Sequence, residues 1–240
     1  MSFEKYLQRG AYHWRNMNLD NWRDFNPVVA ARYEYTLKLV SPGAQKVLDD
    51  GCGDTYLLHR LALMGKDVWG VDTSHEGLVA GQKECSRYLD KYLTGDPKLV
   101  QATGLELPFK SSQFDLVILT EVLEHVNKPE TLLVNIKRVL APSGSLILST
   151  PNRQSVGFRD PHHVYEYTPY ELRRLLSRYF SNVEIYGLGN AHFLSWYKRH
   201  LDKTIYKRLF HYVCSLGLNP FMYPFKKATA NSHLLFGICY

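Results

Sequence analysis

Apolar positions recur along this chain with two different periods. Short runs rich in Val, Ile and Leu occur at residues 46–50, 67–71, 99–102, 114–119, 145–149 and 183–187, and each reads as a strand. Between them lie stretches with helical spacing: Leu57, Leu58, Leu61 and Leu63, then residues 76–88, then Leu132, Leu133, Ile136 and Val139. Thr168-Pro169-Tyr170-Glu171 opens a further helix, with Thr168 as N-cap and Glu171 completing a capping box. Strands separated by crossover helices imply an α/β fold whose mainly parallel sheet is covered on both faces. A last apolar run, residues 233–239, is expected to close the sheet as a seventh strand at its edge. The pattern divides the chain into an N-terminal helical lid (1–45), a core (46–188), an insertion (189–231) and the final edge strand (232–240).

Composition narrows the class. With 240 residues, 45% hydrophobic and 22% charged, the chain can bury a sizeable core, which excludes disorder and a disulfide-stapled miniature. Cys52, Cys85, Cys214 and Cys239 show no CxxC spacing, which argues against a zinc ribbon and suits the reducing cytoplasm. The first residues lack the apolar centre of a secretory signal, and no run of apolar residues is long enough to span a membrane. The net charge of +6 sits wholly in residues 191–240, which hold seven basic side chains against one acid and 11 of the 32 aromatics. Attraction to an anionic partner should therefore come from this end.

Ligands of a doubly wound sheet bind beyond the carboxyl ends of the strands, where the strand order switches. The turn after the first strand reads Asp49-Asp50-Gly51-Cys52-Gly53-Asp54-Thr55. Glycines there let the backbone approach a ligand and let the next helix present its N–H groups. Asp72 ends the second strand, where a carboxylate can accept both hydroxyls of a ribose. The dinucleotide pattern G-x-G-x-x-G is not met, because its third position is Tyr56.

Four blocks in order, VLDDGCGDTYLLHRLA, GVDTSHEGL, LELPFKSSQFDLVILTEVLEHV and IKRVLAPSGSLILSTPN, resemble the class I S-adenosylmethionine-dependent methyltransferases. Within these the chain looks most like the branch of ubiquinone-biosynthesis O-methyltransferases and many small-molecule methyltransferases. The resemblance covers residues 46–188 and implies a Rossmann-like core, S-adenosyl-L-methionine as cofactor and methyl transfer as the activity. Carried onto this chain, it sets Asp49, Gly51 and Gly53 around the methionyl part and Asp72 at the ribose. It sets Thr73 beside the adenine, Gly104 and Leu105 along the adenine edge, and Thr120 facing the methionine portion. Two positions depart from the pattern. Thr55 replaces a second turn glycine, so its backbone must avoid positive φ or reach the cofactor differently, and Thr103 replaces an acid that receives the adenine amino group.

An oxygen nucleophile must lose its proton, to a base or with the help of a metal. On a helix Glu121, Glu124 and His125 share one face, and the loop carrying His162 and His163 opens on the same sheet edge. Glu121, Glu124, His125 and His163 could thus hold a divalent cation such as Mg with an open position. Without metal, His125 or His163 is the general base, and His162 reads equally as a structural histidine. The pairing of E-x-x-E-H with H-x-[YF]-E-[YW]-T is also similar, in that one constellation, to metal-dependent methyltransferases acting on the 2′-hydroxyl of small RNAs.

The flanks carry their own expectations. In sequences resembling this one the N-terminal segment folds over the cofactor, which makes Tyr12, His13 and Trp14 lid candidates; an aromatic plug at the core's edge is the alternative. The insertion reads first as a cap over the acceptor and second as a peripheral membrane contact through residues 195–227. A nucleic-acid surface is the weakest reading, because the charge is modest and no RNA-binding module is recognisable. The resulting expectation is O-methylation of a small or lipid-linked acceptor. RNA 2′-O-methylation and a non-catalytic cofactor-binding scaffold are the alternatives.

Overall fold

The computed structural model describes residues 5–87, 95–155, 160–200, 203–225 and 227–240. Eight strands form one sheet: β1 (Lys46–Asp50), β2 (Asp67–Asp72), β3 (Lys98–Gln101), β4 (Phe114–Thr120), β5 (Leu140–Pro151), β6 (Val183–Asn190), β7 (Pro224–Phe225) and β8 (Ser232–Cys239). Their order is β3-β2-β1-β4-β5-β8-β6-β7. The first five strands pair in parallel, and β8 runs antiparallel to both β5 and β6. This is the expected α/β architecture with two corrections.

The sheet has eight strands rather than seven, because the insertion adds the two-residue β7 at the edge. The last strand is not at the edge; it lies between β5 and β6. The physical reason is in its composition. Leu234, Leu235, Phe236 and Cys239 are all buried, and a near-continuous apolar run suits a strand covered on both faces rather than one half in water.

The helices are α1 (Lys5–Arg9), α2 (Tyr12–Asn16), α3 (Pro27–Leu39), α4 (Tyr56–Leu63), α5 (His75–Cys85), α6 (Pro129–Val139), α7 (Pro169–Leu176), α8 (Ala191–Arg199) and α9 (Thr204–Ser215). Helix α3 starts where Asn26 accepts bonds from the Val28 and Val29 amides with Pro27 in the first turn, and α7 starts at the expected Thr168–Glu171 capping box. The helix expected over residues 76–88 ends at Cys85, and Tyr88 lies outside the described residues.

The sheet separates two cores. On one face Tyr33, Tyr35, Leu57, Leu61, Phe210, Phe221 and Phe236 join α3, α4 and the insertion. On the other, Leu132, Ile136, Leu172 and Leu176 seat α6 and α7. No disulfide joins the four buried cysteines. Among the described residues no helix is long and apolar enough to cross a membrane.

The interior position of β8 has a measurable consequence. Phe236→Ala should lower stability by about 3–5 kcal/mol in urea unfolding, whereas Thr168→Ala should cost about 1 kcal/mol through the lost cap. A Phe236→Ala cost below that of the cap variant would contradict a fully enclosed β8.

Candidate functional site

The strand order reverses between β1 and β4, and the turn leaving β1 opens into that crevice. Gly51 and Gly53 take φ of +90° and +53°, a region that favours glycine. A Cβ at Gly51 would strike Val122, and one at Gly53 would strike the Tyr6 hydroxyl. Gly51 and Cys52 donate their amides to the Val71 carbonyl at 2.8 and 2.9 Å, which ties the turn to β2. The Asp72 carboxylate closes the loop, accepting from the amides of Gly53 and Ser74 at 2.8 Å each.

Thr55 does not avoid the left-handed region; it occupies it, with φ +65° at the N-cap of α4. For a β-branched residue this costs on the order of 1–2 kcal/mol. The surroundings enforce it, because the side chain is fully enclosed and its hydroxyl lies 3.3 Å from the Cys85 sulfur.

Three carboxylates converge here with too few donors. Asp49 Oδ1 and Asp50 Oδ2 are buried and have no hydrogen-bond partner among the described residues. Burial pushes the Asp49 carboxyl well above its ordinary range, with the charges of Asp50 and Asp72 adding to it. Burial, then the Asp72 charge, raises Asp50 to about 7. Asp72 is also raised by burial, against the pull of its two amide donors. A ligand that brought positive charge and hydroxyl or ammonium donors would complete this site.

The adenine-side residues line up beyond Asp72. Thr73 is exposed and its carbonyl accepts from the Gln101 side chain, while Gly104 lies against Asp50. The Leu105 amide donates to the Thr103 hydroxyl at 3.2 Å, so that hydroxyl keeps its own proton to give elsewhere. Thr120 ends β4 opposite Ser149.

The N-terminal segment is fastened to the glycine turn through Asp54. The His13 amide donates to Asp54 Oδ2 at 2.8 Å, its ring Nδ1 lies 2.9 Å from Oδ1, and Trp14 Nε1 donates to the Asp54 carbonyl at 2.6 Å. Tyr12 stacks on Tyr6 and against His13. Tyr6 carries no signal in the sequence, yet its ring covers both Gly53 and Gly77.

The helix expected through Glu121–His125 is a single 3-10 turn over Leu123–His125. Glu121 breaks it, with φ +55° and an amide committed to the Ser149 carbonyl. Its carboxylate accepts from the Ser149 hydroxyl at 3.0 Å and pairs with Arg32 at 3.3 Å. Glu124, His125 and His163 do come together, with one ligand atom from each within 4.8 Å of the others. Glu124 is fully buried; Oε2 accepts from Thr150 at 2.9 Å, and Oε1 has no partner among the described residues. Burial, then the Glu121 charge, holds this carboxyl well above its ordinary range. His163 Nδ1 lies 2.7 Å from Glu166, and His125 Nδ1 lies 3.1 Å from the His162 carbonyl. Contacts of this kind fix the orientation of an imidazole ligand. His162 is exposed and meets its neighbours through its backbone: its carbonyl faces His125 Nδ1 and its amide donates to Asp160.

Beside Glu121 lies a small cavity, about 40 Å³, walled by Val28, Val29, Arg32, Phe221, His233 and Leu234. Burial, then the charges of Lys198 and Arg32, pushes the His233 imidazole down to about 3, so it is neutral at physiological pH. Arg32 Nε is buried with no hydrogen-bond partner among the described residues. Neither residue has a role in the sequence reading. The available signal was a lone cation among Ala30, Ala31, Tyr33 and Tyr35, all buried on α3.

Residues 48–148 match the family described as "Methyltransferase domain". The ubiquinone biosynthesis O-methyltransferase of Pseudomonas putida is 31% identical over 147 residues, 60% of this chain and 60% of that one. The mitochondrial enzyme of that name from Schizosaccharomyces pombe is 36% identical over 111 residues, 45% of this chain and 39% of that one. The chain thus spans less than two thirds of the length of either relative. Among solved structures, an S-adenosylmethionine-dependent methyltransferase of Thermotoga maritima superposes with a TM-score of 0.66 at 14% identity, over 98% of this chain and 96% of that one. Phosphoethanolamine N-methyltransferase 2 of Haemonchus contortus, in complex with S-adenosyl-L-methionine, gives 0.65 at 17% identity, over 100% of this chain and 60% of that one. At such identities the two structures establish the shared fold.

The raised Asp50 carboxyl predicts a pH effect on the protein without ligand. Folded, the group keeps its proton up to about pH 7, whereas unfolded it loses it near 3.9. Between those values the folded state binds more protons, so stability falls as pH rises and levels off above 7. Asp50→Asn should match the parent in denaturant midpoint near pH 4 and exceed it above pH 7. Equal midpoints at both ends would show that Asp50 ionises without cost.

Proposed function

We propose, from the match of residues 48–148 to the methyltransferase domain family, that the chain transfers the methyl group of S-adenosyl-L-methionine to an oxygen of a small or lipid-linked acceptor. The observation that carries this reading is the set of unsatisfied groups around the glycine turn. The unpartnered Asp49 Oδ1 calls for an ammonium donor and the buried Arg32 Nε for a carboxylate, while Asp72, already holding two amides, keeps acceptor capacity for hydroxyl donors. An amino acid joined to a ribose supplies all three. Asp72 then takes the ribose hydroxyls, Asp49 faces the methionyl amine, and Arg32 answers the methionyl carboxylate while still neighbouring Glu121. When bound, the cofactor supplies a methyl made electrophilic by its sulfonium. What remains for the protein is to align the acceptor, exclude water and remove a proton.

Tyr6, Tyr12 and His13, held down through Asp54, close the turn against solvent. The acceptor enters beside Glu121, where Val28, Val29, Phe221 and Leu234 favour an apolar body. A cavity of about 40 Å³ has room for about three waters, which an entering acceptor would displace. The curated relatives named as ubiquinone biosynthesis O-methyltransferases support oxygen as the atom methylated and a lipid-linked acceptor.

For removal of the proton, the reading places a divalent cation such as Mg on Glu124, His125 and His163. Glu124, whose Oε1 has no partner among the described residues and whose carboxylate is grouped with two imidazoles, supports it: a cation would offset the cost of ionising that carboxyl. Such a cation would lower the pKa of a bound acceptor hydroxyl. Glu121, committed to Arg32 and Ser149, stands outside this set.

Two measurements test the proposal. Calorimetry should show Asp72→Ala binding S-adenosyl-L-methionine about 10–100-fold more weakly than the parent, through the loss of hydrogen bonds to a charged group. In an assay with labelled cofactor and a panel of phenols, catechols and short RNAs, transfer to a phenolic oxygen should vanish with a chelator and in both Glu124→Ala and His163→Ala. Transfer that ignores the chelator removes the cation, and tight cofactor binding without transfer to any acceptor removes the enzyme.

A further inference from the structure

Among the described residues that wall the cavity beside Glu121, polar side chains come from Arg32, Glu121 and His233. Two of these satisfy each other. Arg32 pairs with one Glu121 oxygen at 3.3 Å, and the Ser149 hydroxyl donates to the other at 3.0 Å. His233 is half-buried, and its ring makes no hydrogen bond among the described residues. The rest of the wall, with Val28, Val29, Phe221 and Leu234, is apolar. Pockets for small molecules are built this way, from apolar walls and a few polar groups that fix the ligand's orientation.

The ring is carried on a fixed support. Strand β8 lies between β5 and β6, and Asn152, itself buried, clamps its first residues. The Asn152 amide donates to the His233 carbonyl at 3.3 Å. Its side chain donates to the carbonyls of Thr229 and Ser232 at 2.9 and 2.8 Å. A polar group mounted on an enclosed strand keeps its direction better than one on a loop.

Burial, with the charges of Lys198 and Arg32, keeps this imidazole unprotonated at physiological pH, and the acid in the cavity wall, Glu121, is taken by Arg32. An unprotonated imidazole offers one donor and one acceptor and no charge, which suits a hydroxyl or a carbonyl rather than an anion. The ring stands outside the group formed by Glu124, His125 and His163, so it does not compete for the cation placed there.

We propose that His233 is a specificity-determining residue, whose ring hydrogen-bonds an uncharged oxygen of the acceptor other than the one methylated. This deepens the reading of the cavity as the acceptor's entry and rests on it.

Binding is measured apart from transfer, on the full chain with S-adenosyl-L-homocysteine in place of the methyl donor. The probes are 4-methylcatechol and 4-methylphenol, which differ by one hydroxyl. Calorimetry should show the parent binding 4-methylcatechol about tenfold more tightly, the worth of one well-made hydrogen bond. His233→Phe keeps a ring without polar atoms and should erase the preference, leaving 4-methylphenol affinity within about twofold. His233→Gln keeps a donor and an acceptor and should restore most of it. In the parent, the nitrogen resonances of the His233 ring, assigned by their loss in His233→Gln, should shift with 4-methylcatechol; this readout stands even where His233→Phe fails to fold. With S-adenosyl-L-methionine, the parent should methylate one of the two hydroxyls in excess, and His233→Phe should lose that excess. The proposal fails if the parent binds the two compounds equally or binds neither, if His233→Phe keeps the preference, or if the ring resonances stay still. A preference that depends on His233, with no methyl transferred to either compound, upholds His233 as the residue that reads the ligand and removes methyl transfer to such acceptors. Transfer that ignores His233 does the reverse.

Discussion

The chemistry of this molecule depends on the crevice that opens where β1 and β4 lie side by side and their connections part. Into that gap the sheet projects Asp49 and Asp50 from the end of β1, with Asp72 across the turn, all more than ordinarily reluctant to ionise. Buried carboxylates without donors are costly, and a fold keeps them where a ligand offsets the cost. The glycine turn, the strained Thr55 and the Asp54 anchor all follow from holding one stretch of backbone against that cluster.

Periodicity alone disclosed the strands from β1 to β6 and the helices between them, because each is a local pattern with local caps. The glycine turn and Asp72 were legible for the same reason: spacing and position after a strand are properties of sequence. Glu121–His125 misled because i, i+3, i+4 spacing presumes a helix. Here Glu121 takes φ +55°, outside the right-handed helical region, with its amide and carboxylate both held by Ser149 on the adjacent strand. His233 could not be found either, since the residues a strand position faces depend on which strands flank it. Arg32 and Tyr6 matter through contacts with Glu121 and Gly53 that only the folded chain supplies.

The two flanking segments meet on one face of the sheet. Asn219 of the insertion donates to the Pro27 carbonyl at the start of α3, and Phe221 reaches the cavity that Val28 and Val29 wall from the other side. Both segments lie outside residues 48–148, so the part of the chain that matches the family carries the glycine turn, while the unmatched parts wall the cavity beside Glu121.

The placement of β8 governs the order in which the chain can assemble. β5 and β6 become neighbours only through a strand made of residues 232–239. Until the ribosome has released that stretch, a nascent chain holds two unpaired sheet edges and an exposed slot lined by Leu146, Leu148 and Ile185. Contacts so distant in sequence form late and slowly, so pairing of β8 with its two neighbours is the last step in closing the sheet.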